Sequence, residues 1–332
     1  MNGTEGKLII ALYSGLGNQM FQYAFYKYLL LAGYNVYLDK NSPQSRSQYQ
    51  KHETFRLDYF PLKDVKFATE DDVREFLPKL KDIYFKPFSR IIRTESILTI
   101  IKVFFYKVKN RIKIKNKKQI FGLNGTNIWV EWDKNGKGKE FYRKDITKKT
   151  RAYMIGRYQE YYYLQNIRPC IIKDFLFEQN LPESVKKYYS EIIEKNSVSI
   201  HARRGDYSGA KEFDICTIKY YKNAVNSISG LVENPFFYIF SDDLEWVENN
   251  FGFLGKYTVI DNSDFINSDY FDLYLMTNCK HNIISNSTFS WWGAWLNQNS
   301  NKIIICPERW NGFDFVLTDE ICPPEWRREK IQ

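Results

Sequence analysis

An α/β fold in two halves is what this 332-residue sequence predicts. The first forty residues run strand, turn, helix, strand, and the second half restarts that rhythm with five short apolar runs separated by helix-length segments. Such alternation builds parallel sheets covered by helices on both faces, here two Rossmann-like domains. Three of the later runs end in polar side chains, and in open parallel sheets ligands bind outside the carboxyl ends of the strands. The length is sufficient for two domains with sizeable cores. We divide them at 1–185 and 186–332.

In chain order, residues 7–13 (KLIIALY) read as a buried strand, 14–19 as a loop with Gly15 and Gly17, 20–31 as a helix stopped by Gly33, and 35–39 as a second strand. The Gly-x-Gly invites a dinucleotide reading, but Met20 stands where a third glycine must permit close helix–strand packing. The two glycines predict a tight turn with backbone N–H groups aimed outward. Short helices are expected within 58–75 and 76–88, and a β-hairpin from 127–132 and 140–142 around Asn135-Gly136. Residues 158–164 (YQEYYYL) form an aromatic cluster, read either as the wall of a groove or as ordinary packing. A helix over 175–195 follows, with 180–183 as a hinge. Strands are then expected at 198–203, 236–241, 257–261, 282–286 and 302–306, with helices near 217–229, 243–250, 267–280 and 290–298.

The net charge of +9 is concentrated. Residues 86–118 hold eleven Lys/Arg against the single acid Glu95, so the rest of the chain is close to neutral. A generally basic nucleic-acid binder is therefore not expected. Two readings of the block stand: a surface helix with solvated lysines, or a basic amphipathic stretch attracted to anionic lipid headgroups. The five cysteines are odd in number, widely spaced and without Cys-x-x-Cys, which argues against a zinc site and a disulfide framework and fits a reducing compartment. With no signal-like leader and no long uncharged apolar stretch, the expectation is a cytoplasmic protein, peripheral at the inner membrane face if the basic block binds lipid. Arg204-Gly205-Asp206 and three glycosylation-type sequons are coincidental in that setting.

The chemistry gathers at the strand ends. His201-Ala202-Arg203-Arg204-Gly205-Asp206 delivers two guanidinium groups into a turn, and such forks bind phosphate oxygens bidentately. Adjacent strand residues point to opposite faces, so one arginine enters the crevice and the other pairs with a carboxylate to hold the turn. His201 shares a face with Arg203, as a base, a phosphate donor or a packing residue. Ser287 and Thr288 precede a helix, where an N-cap and an anion seat have the same sequence. Asp272 either caps its helix or accepts from the two-donor edge of a guanine. Asp242-Asp243 lacks the intervening residue that would put two carboxylates on one face, so no metal is expected and cationic side chains would offset a diphosphate's charge.

Taken together, the 15–24 block (GLGNQMFQYA), His201 to Tyr207, Phe240 to Asp243 and the 285–296 block (SNSTFSWWGAWL) resemble the galactoside α-1,2-fucosyltransferase family, glycosyltransferase family 11, with a looser likeness at 156–162. The resemblance implies a GT-B architecture: two facing Rossmann-like domains with the donor site in the C-terminal one. It implies metal-independent, inverting transfer of L-fucose from GDP-β-L-fucose to the 2-OH of a β-galactoside, with no cofactor. By the broader fucosyltransferase pattern it selects Arg203 for the β-phosphate, the His201 region for the nucleoside, Asp272 for guanine, Ser287 and Thr288 for the diphosphate, and Asn18 to close over the donor from the other domain. Tyr158 and Gln159 stand as acceptor contacts, the acceptor being an oligosaccharide, lipid-linked in one version. No motif fixes the base; Asp206, Glu212 and His201 are the candidates. A transferase using another GDP-sugar and a non-catalytic basic module binding membrane or nucleic acid are the alternatives.

Overall fold

The computed structural model describes residues 6–42, 55–76, 119–123, 126–130, 146–177, 180–312 and 318–332, the side chains of 119–123 and 126–130 excepted. The basic block at 86–118 lies outside the described residues. The chain forms two compact units, one of residues 1–58 and 62–158, the other of residues 59–61 and 159–332. The division thus falls 27 residues before the expected one at 185/186, because the helix after Tyr158 belongs with the second unit.

In the first unit, β1 (Lys7–Ala11), α1 (Leu16–Leu31) and β2 (Val36–Asp39) are the predicted opening. The helix begins earlier than expected, at Leu16. Gly15 occupies the N-cap with extended backbone, so Gly17, Asn18 and Gln19 form the first turn. After the short α2 (Glu70–Phe76) come β3 (Gln119–Leu123), β4 (Thr126–Val130) and β5 (Arg151–Ile155). The sheet order is β2-β1-β5-β4-β3, parallel except for the edge pair β3–β4. The hairpin therefore differs from the predicted one: Leu123 pairs with Thr126, leaving two connecting residues, Asn124-Gly125 in the sequence. The predicted partner strand at 140–142 lies outside the described residues. Ile9, Ala11, Tyr153 and Ile155 pack with Phe76 into this unit's core.

The second unit holds α3 (Tyr161–Asp174), α4 (Glu183–Glu194), β6 (Asn196–Ala202), α5 (Ile218–Ser229), β7 (Pro235–Ser241), α6 (Leu244–Asn250), β8 (Tyr257–Val259), α7 (Ser268–Asn278), β9 (His281–Ile283), α8 (Thr288–Leu296), β10 (Ile304–Pro307), α9 (Thr318–Ile321) and β11 (Arg327–Glu329). All five strands and four helices predicted from residue 198 onward are present within a few residues. The helix expected over 175–195 is shorter and is preceded by α3, which carries Pro169 inside it. Phe60, from the short segment 59–61, packs on Phe175 and Tyr270.

The six strands run in the order β11-β10-β9-β6-β7-β8, every pairing parallel. The chain winds from β6 outward to β8, then returns to β9 and winds the other way to β11. This is the doubly wound order, and the winding reverses between β6 and β9, the place where such sheets open a ligand crevice. Val198, Ile200, Ile239 and Ile305 pack with Tyr220 and Tyr221 of α5 in the core. The two tyrosine hydroxyls also bond strand-end carbonyls, Tyr220 to Ile284 and Tyr221 to His201. A helix that satisfies those carbonyls fixes the heights at which β6 and β9 end.

Candidate functional site

The strand ends at the switch point are joined by side chains. His201 is buried on β6, and its Nδ1 lies 3.1 Å from Ser285 Oγ at the end of β9. Burial, the largest influence, pushes its pKa down to about 4, with Asp242 working upward and Arg203 downward. The ring is neutral at neutral pH and sits 5.4 Å from Phe289. That environment makes His201 a poor proton acceptor and a good tie between the two strands. Ser285 in turn approaches Ser290 Oγ at 3.5 Å, inside the first turn of α8.

The two arginines pair with different carboxylates. Arg204 turns to Asp214, with Nη1 donating to Oδ1 at 2.6 Å and Nη2 to Ser208 Oγ at 3.2 Å, and its guanidinium lies 4.6 Å from the Trp246 ring centroid. Asp214 also accepts the Gly209 N–H at 3.0 Å, so this arginine fastens the loop that follows β6. Arg203 has different partners. Its Nη1 meets Asp242 Oδ2 at 2.8 Å, and its Nε and Nη2 donate to Asp206 Oδ1 at 3.1 and 2.7 Å. Burial opposes its charge, but Asp242 and Asp206 more than offset that and hold its pKa above the ordinary arginine value.

Asp242, at the end of β7, is the side chain that the sequence reading passed over as a functional residue. One oxygen holds Arg203 and the other accepts the Arg204 backbone N–H at 2.8 Å. Its neighbour Asp243 caps α6, accepting the Trp246 N–H at 2.9 Å. Gly205 is required by this arrangement, since a Cβ there would come within 2.3 Å of Asp242 Oδ2. The loop is also tied to the next strand ends: Asn286 donates to the carbonyls of Phe213 and Trp310, and the Gly312 N–H bonds Glu212 O at 2.8 Å.

Ser287 is the N-cap of α8, accepting the Phe289 N–H at 3.3 Å, with Thr288 as the first helical residue. No acidic residue lies in that helix's first turn, so its positive end is not neutralised from within. Asp272 lies in the second turn of α7 and does not cap it; Asn267 holds the cap position. Its half-buried carboxyl accepts from Asn262 Nδ2 at 2.8 Å, and burial pushes its pKa up to about 7, with Asp269 and Asp261 adding to the rise. Asn262 follows β8, so this pair also belongs to the carboxyl edge of the sheet.

The remaining candidates fall elsewhere. Asp206 is on the short turn Gly205–Tyr207 with 69% of its side chain exposed, and Glu212 is exposed on the same loop. Asn18 belongs to the first unit, its amide donating to Ser14 Oγ at 2.9 Å. Tyr158 corrects the acceptor assignment. Its backbone is left-handed (φ 52°), and its ring is buried and stacked on Phe25 at 4.2 Å, so packing holds it. Gln159 follows it, half-buried.

The doubly wound parallel unit thus gathers Arg203, Asp242 and Asp206, together with the N-terminal end of α8, at the carboxyl ends of strands flanking its switch point, where such sheets place their ligand sites. The whole chain carries a more specific signature. It belongs to glycosyl transferase family 11, whose model matches residues 7–330, and is a glycosyltransferase. It is similar to the O-antigen biosynthesis glycosyltransferase WbnK of Escherichia coli, 29% identical over 311 residues, 90% of this chain and 93% of that one. An alpha-1,2-colitosyltransferase of Escherichia coli is 28% identical over 97% of this chain and 98% of its own. Galactoside 2-alpha-L-fucosyltransferase SEC1 of Bos taurus is 25% identical over 40% of this chain and 39% of its own. Among solved structures, a mutant of Arabidopsis thaliana FUT1 in complex with GDP is similar with a TM-score of 0.48 and 15% identity, over 93% of this chain and 72% of that one.

Proposed function

We propose that this glycosyltransferase moves L-fucose from GDP-β-L-fucose to the 2-OH of a β-galactoside with inversion, forming an α-1,2 linkage. The observation that carries the donor half is Arg203, anchored by Asp242 at the carboxyl end of β6, in the same unit as the α8 N-terminus, whose first turn has no acid. A diphosphate placed there meets a bidentate cation and helix N–H groups, which stabilise the charge developing on departing GDP. Asp272, ionised by the approach of two N–H donors, reads the guanine. The α-1,2 linkage is supported by the names of two relatives, the colitosyltransferase and the bovine galactoside enzyme.

The reading needs no metal: both oxygens of Asp242 are engaged by arginine groups, and Asp243 caps a helix, so neither presents a free carboxylate to a cation. Asp206 and Glu212 remain the candidates for the base that takes the 2-OH proton, while the low pKa of His201 suits it to positioning. We place the enzyme in the cytoplasm, peripheral at the inner membrane face only if the basic block 86–118 binds anionic lipid.

One specific observation favours a second donor. The similarity to the colitosyltransferase spans nearly the full length of both chains. GDP-fucose, GDP-colitose, GDP-mannose and UDP-sugars, offered with β-galactoside acceptors and followed by mass spectrometry and linkage analysis, decide between them. Fucosyl transfer to O-2 that survives EDTA is the expected result. Preference for a uridine donor would sink the guanine assignment, and preference for the colitosyl donor would replace fucose.

A further inference from the structure

Arg203 is paired with two carboxylates. Its guanidinium presents two edges, and the two aspartates on them differ in kind. Asp242 is only 27% exposed in its side chain, lies 39 residues away on the neighbouring strand, and is fixed by a second bond to the Arg204 N–H. Asp206 is 69% exposed, lies three residues away on a turn, and receives both Nε and Nη2, the paired donors that a phosphate would take. The turn itself is held without the Asp206 side chain, since the N–H groups of Tyr207 and Ser208 both bond Arg204 O at 2.8 and 2.7 Å. Rotating the Asp206 carboxylate away therefore leaves the backbone in place.

We propose that Asp206 is an internal competitor for the donor diphosphate: it occupies the Nε–Nη2 edge of Arg203 while the site is empty, yields it when the diphosphate arrives, and returns as GDP leaves, while Asp242 stays on Nη1 throughout. The proposal rests on the reading of Arg203 as the diphosphate ligand. It assigns Asp206 a part in setting donor affinity and product release, and its consequence is opposite in sign to that of a base. Removing a base lowers turnover and leaves nucleotide affinity alone or weakens it. Removing a competitor tightens nucleotide binding.

The experiment is calorimetric titration of GDP into the full chain and three variants. Asp206→Asn keeps the shape of an exposed side chain and drops its charge. Its GDP dissociation constant is expected to fall about two- to fivefold, the scale of an exposed ion pair, and the inhibition constant of GDP in the transfer assay should fall by the same factor. Glu212→Gln removes an equal charge from the same loop and should leave GDP affinity within experimental error. Unchanged or weaker binding by Asp206→Asn, or equal tightening by Glu212→Gln, overturns the proposal. Arg203→Ala separates the two levels: if it binds GDP like the parent, the diphosphate reading fails and this inference with it. If it loses GDP while Asp206→Asn gains nothing, only the inference fails.

Discussion

Asp242 meets the guanidinium of Arg203 at 2.8 Å, joining the ends of two neighbouring parallel strands through one ion pair. The second oxygen of the same carboxylate takes the Arg204 N–H, so a single side chain sets both the position of the fork and the path of the loop after it. Asp242→Asn keeps the shape but loses the charge-assisted contact, and its amide offers one acceptor where the carboxylate offers two. GDP affinity should fall by about 1–3 kcal/mol. Calorimetry on a variant with unchanged circular dichroism checks this, and parent-like affinity would remove Asp242 from the site.

Gly205→Ala tests the same joint from the other side. Its Cβ would lie 2.3 Å from Asp242 Oδ2 and 3.2 Å from its Cγ, and the carboxylate could move aside only by giving up Arg203 or the Arg204 N–H. We expect GDP binding to fall about as far as in Asp242→Asn, with the cooperative unfolding transition retained. Binding at the parental level would show that the strand ends yield more readily than the geometry implies.

Arg204→Ala should act on stability rather than directly on the ligand. It strands the Asp214 carboxylate and uncovers the Trp246 face. The pair is partly buried, so the loss should fall at about 1–3 kcal/mol, between an exposed pair and a fully interior one. Urea unfolding measures it. A larger effect on GDP affinity than that of Arg203→Ala would reverse the roles assigned to the two arginines.

Asp272 and His201 bend the pH dependence of stability in opposite directions. The folded chain holds a proton on Asp272 up to about pH 7, well above the ordinary 3.8, so that group's stabilisation is lost as pH rises through this range. The folded chain refuses a proton on His201 until about pH 4, below the ordinary 6.5, so that group's stabilisation is lost as pH falls. Between about pH 4 and 6.5 the two slopes nearly cancel. Asp272→Asn should unmask the histidine, leaving the variant about 2 kcal/mol less stable at pH 5 than at pH 7. Equal stability of that variant at the two pH values would show that His201 is not held neutral.

The same carboxyl governs nucleotide binding if it reads guanine. Only the ionised form accepts from two N–H groups, so GDP affinity should drop as pH falls below about 7, approaching tenfold per unit before the nucleotide's own phosphate adds its share. Asp272→Asn should bind more weakly at every pH and keep only the phosphate's slope. Identical slopes for the two proteins would take Asp272 out of the nucleoside contact.

Much of the second unit was legible because its strands are continuous apolar runs and its helices lie between them with clear length and spacing. That Arg203 and Arg204 take different partners was legible from their adjacency, whereas which of them serves a ligand came only from the family resemblance. What stayed hidden was set by distance or by atypical local chemistry. α1 starts at an uncapped glycine without the usual Ser or Asp, and α3 carries a proline that reads as a stop. β11 is three charged residues at a sheet edge. The pairing of Arg203 with Asp242 and of Asp272 with Asn262 depends on neighbours that sequence order does not reveal. Tyr158 looked like a groove wall because an aromatic run shows nothing of which ring turns inward.

The register of β6 against β7 has a consequence for how this protein can change. Ala202 stands opposite Ser241, so the two strands finish level and the next residue of each, Arg203 and Asp242, come out side by side. Because side chains alternate with every step, deleting one residue from β6 would put Arg204 where Arg203 now meets Asp242, and adding one would put Ala202 there. Which arginine meets Asp242 is thus written in strand length. Shortening or lengthening this strand by two residues would preserve which arginine points inward yet carry it out of Asp242's reach, so neither odd nor even changes are neutral.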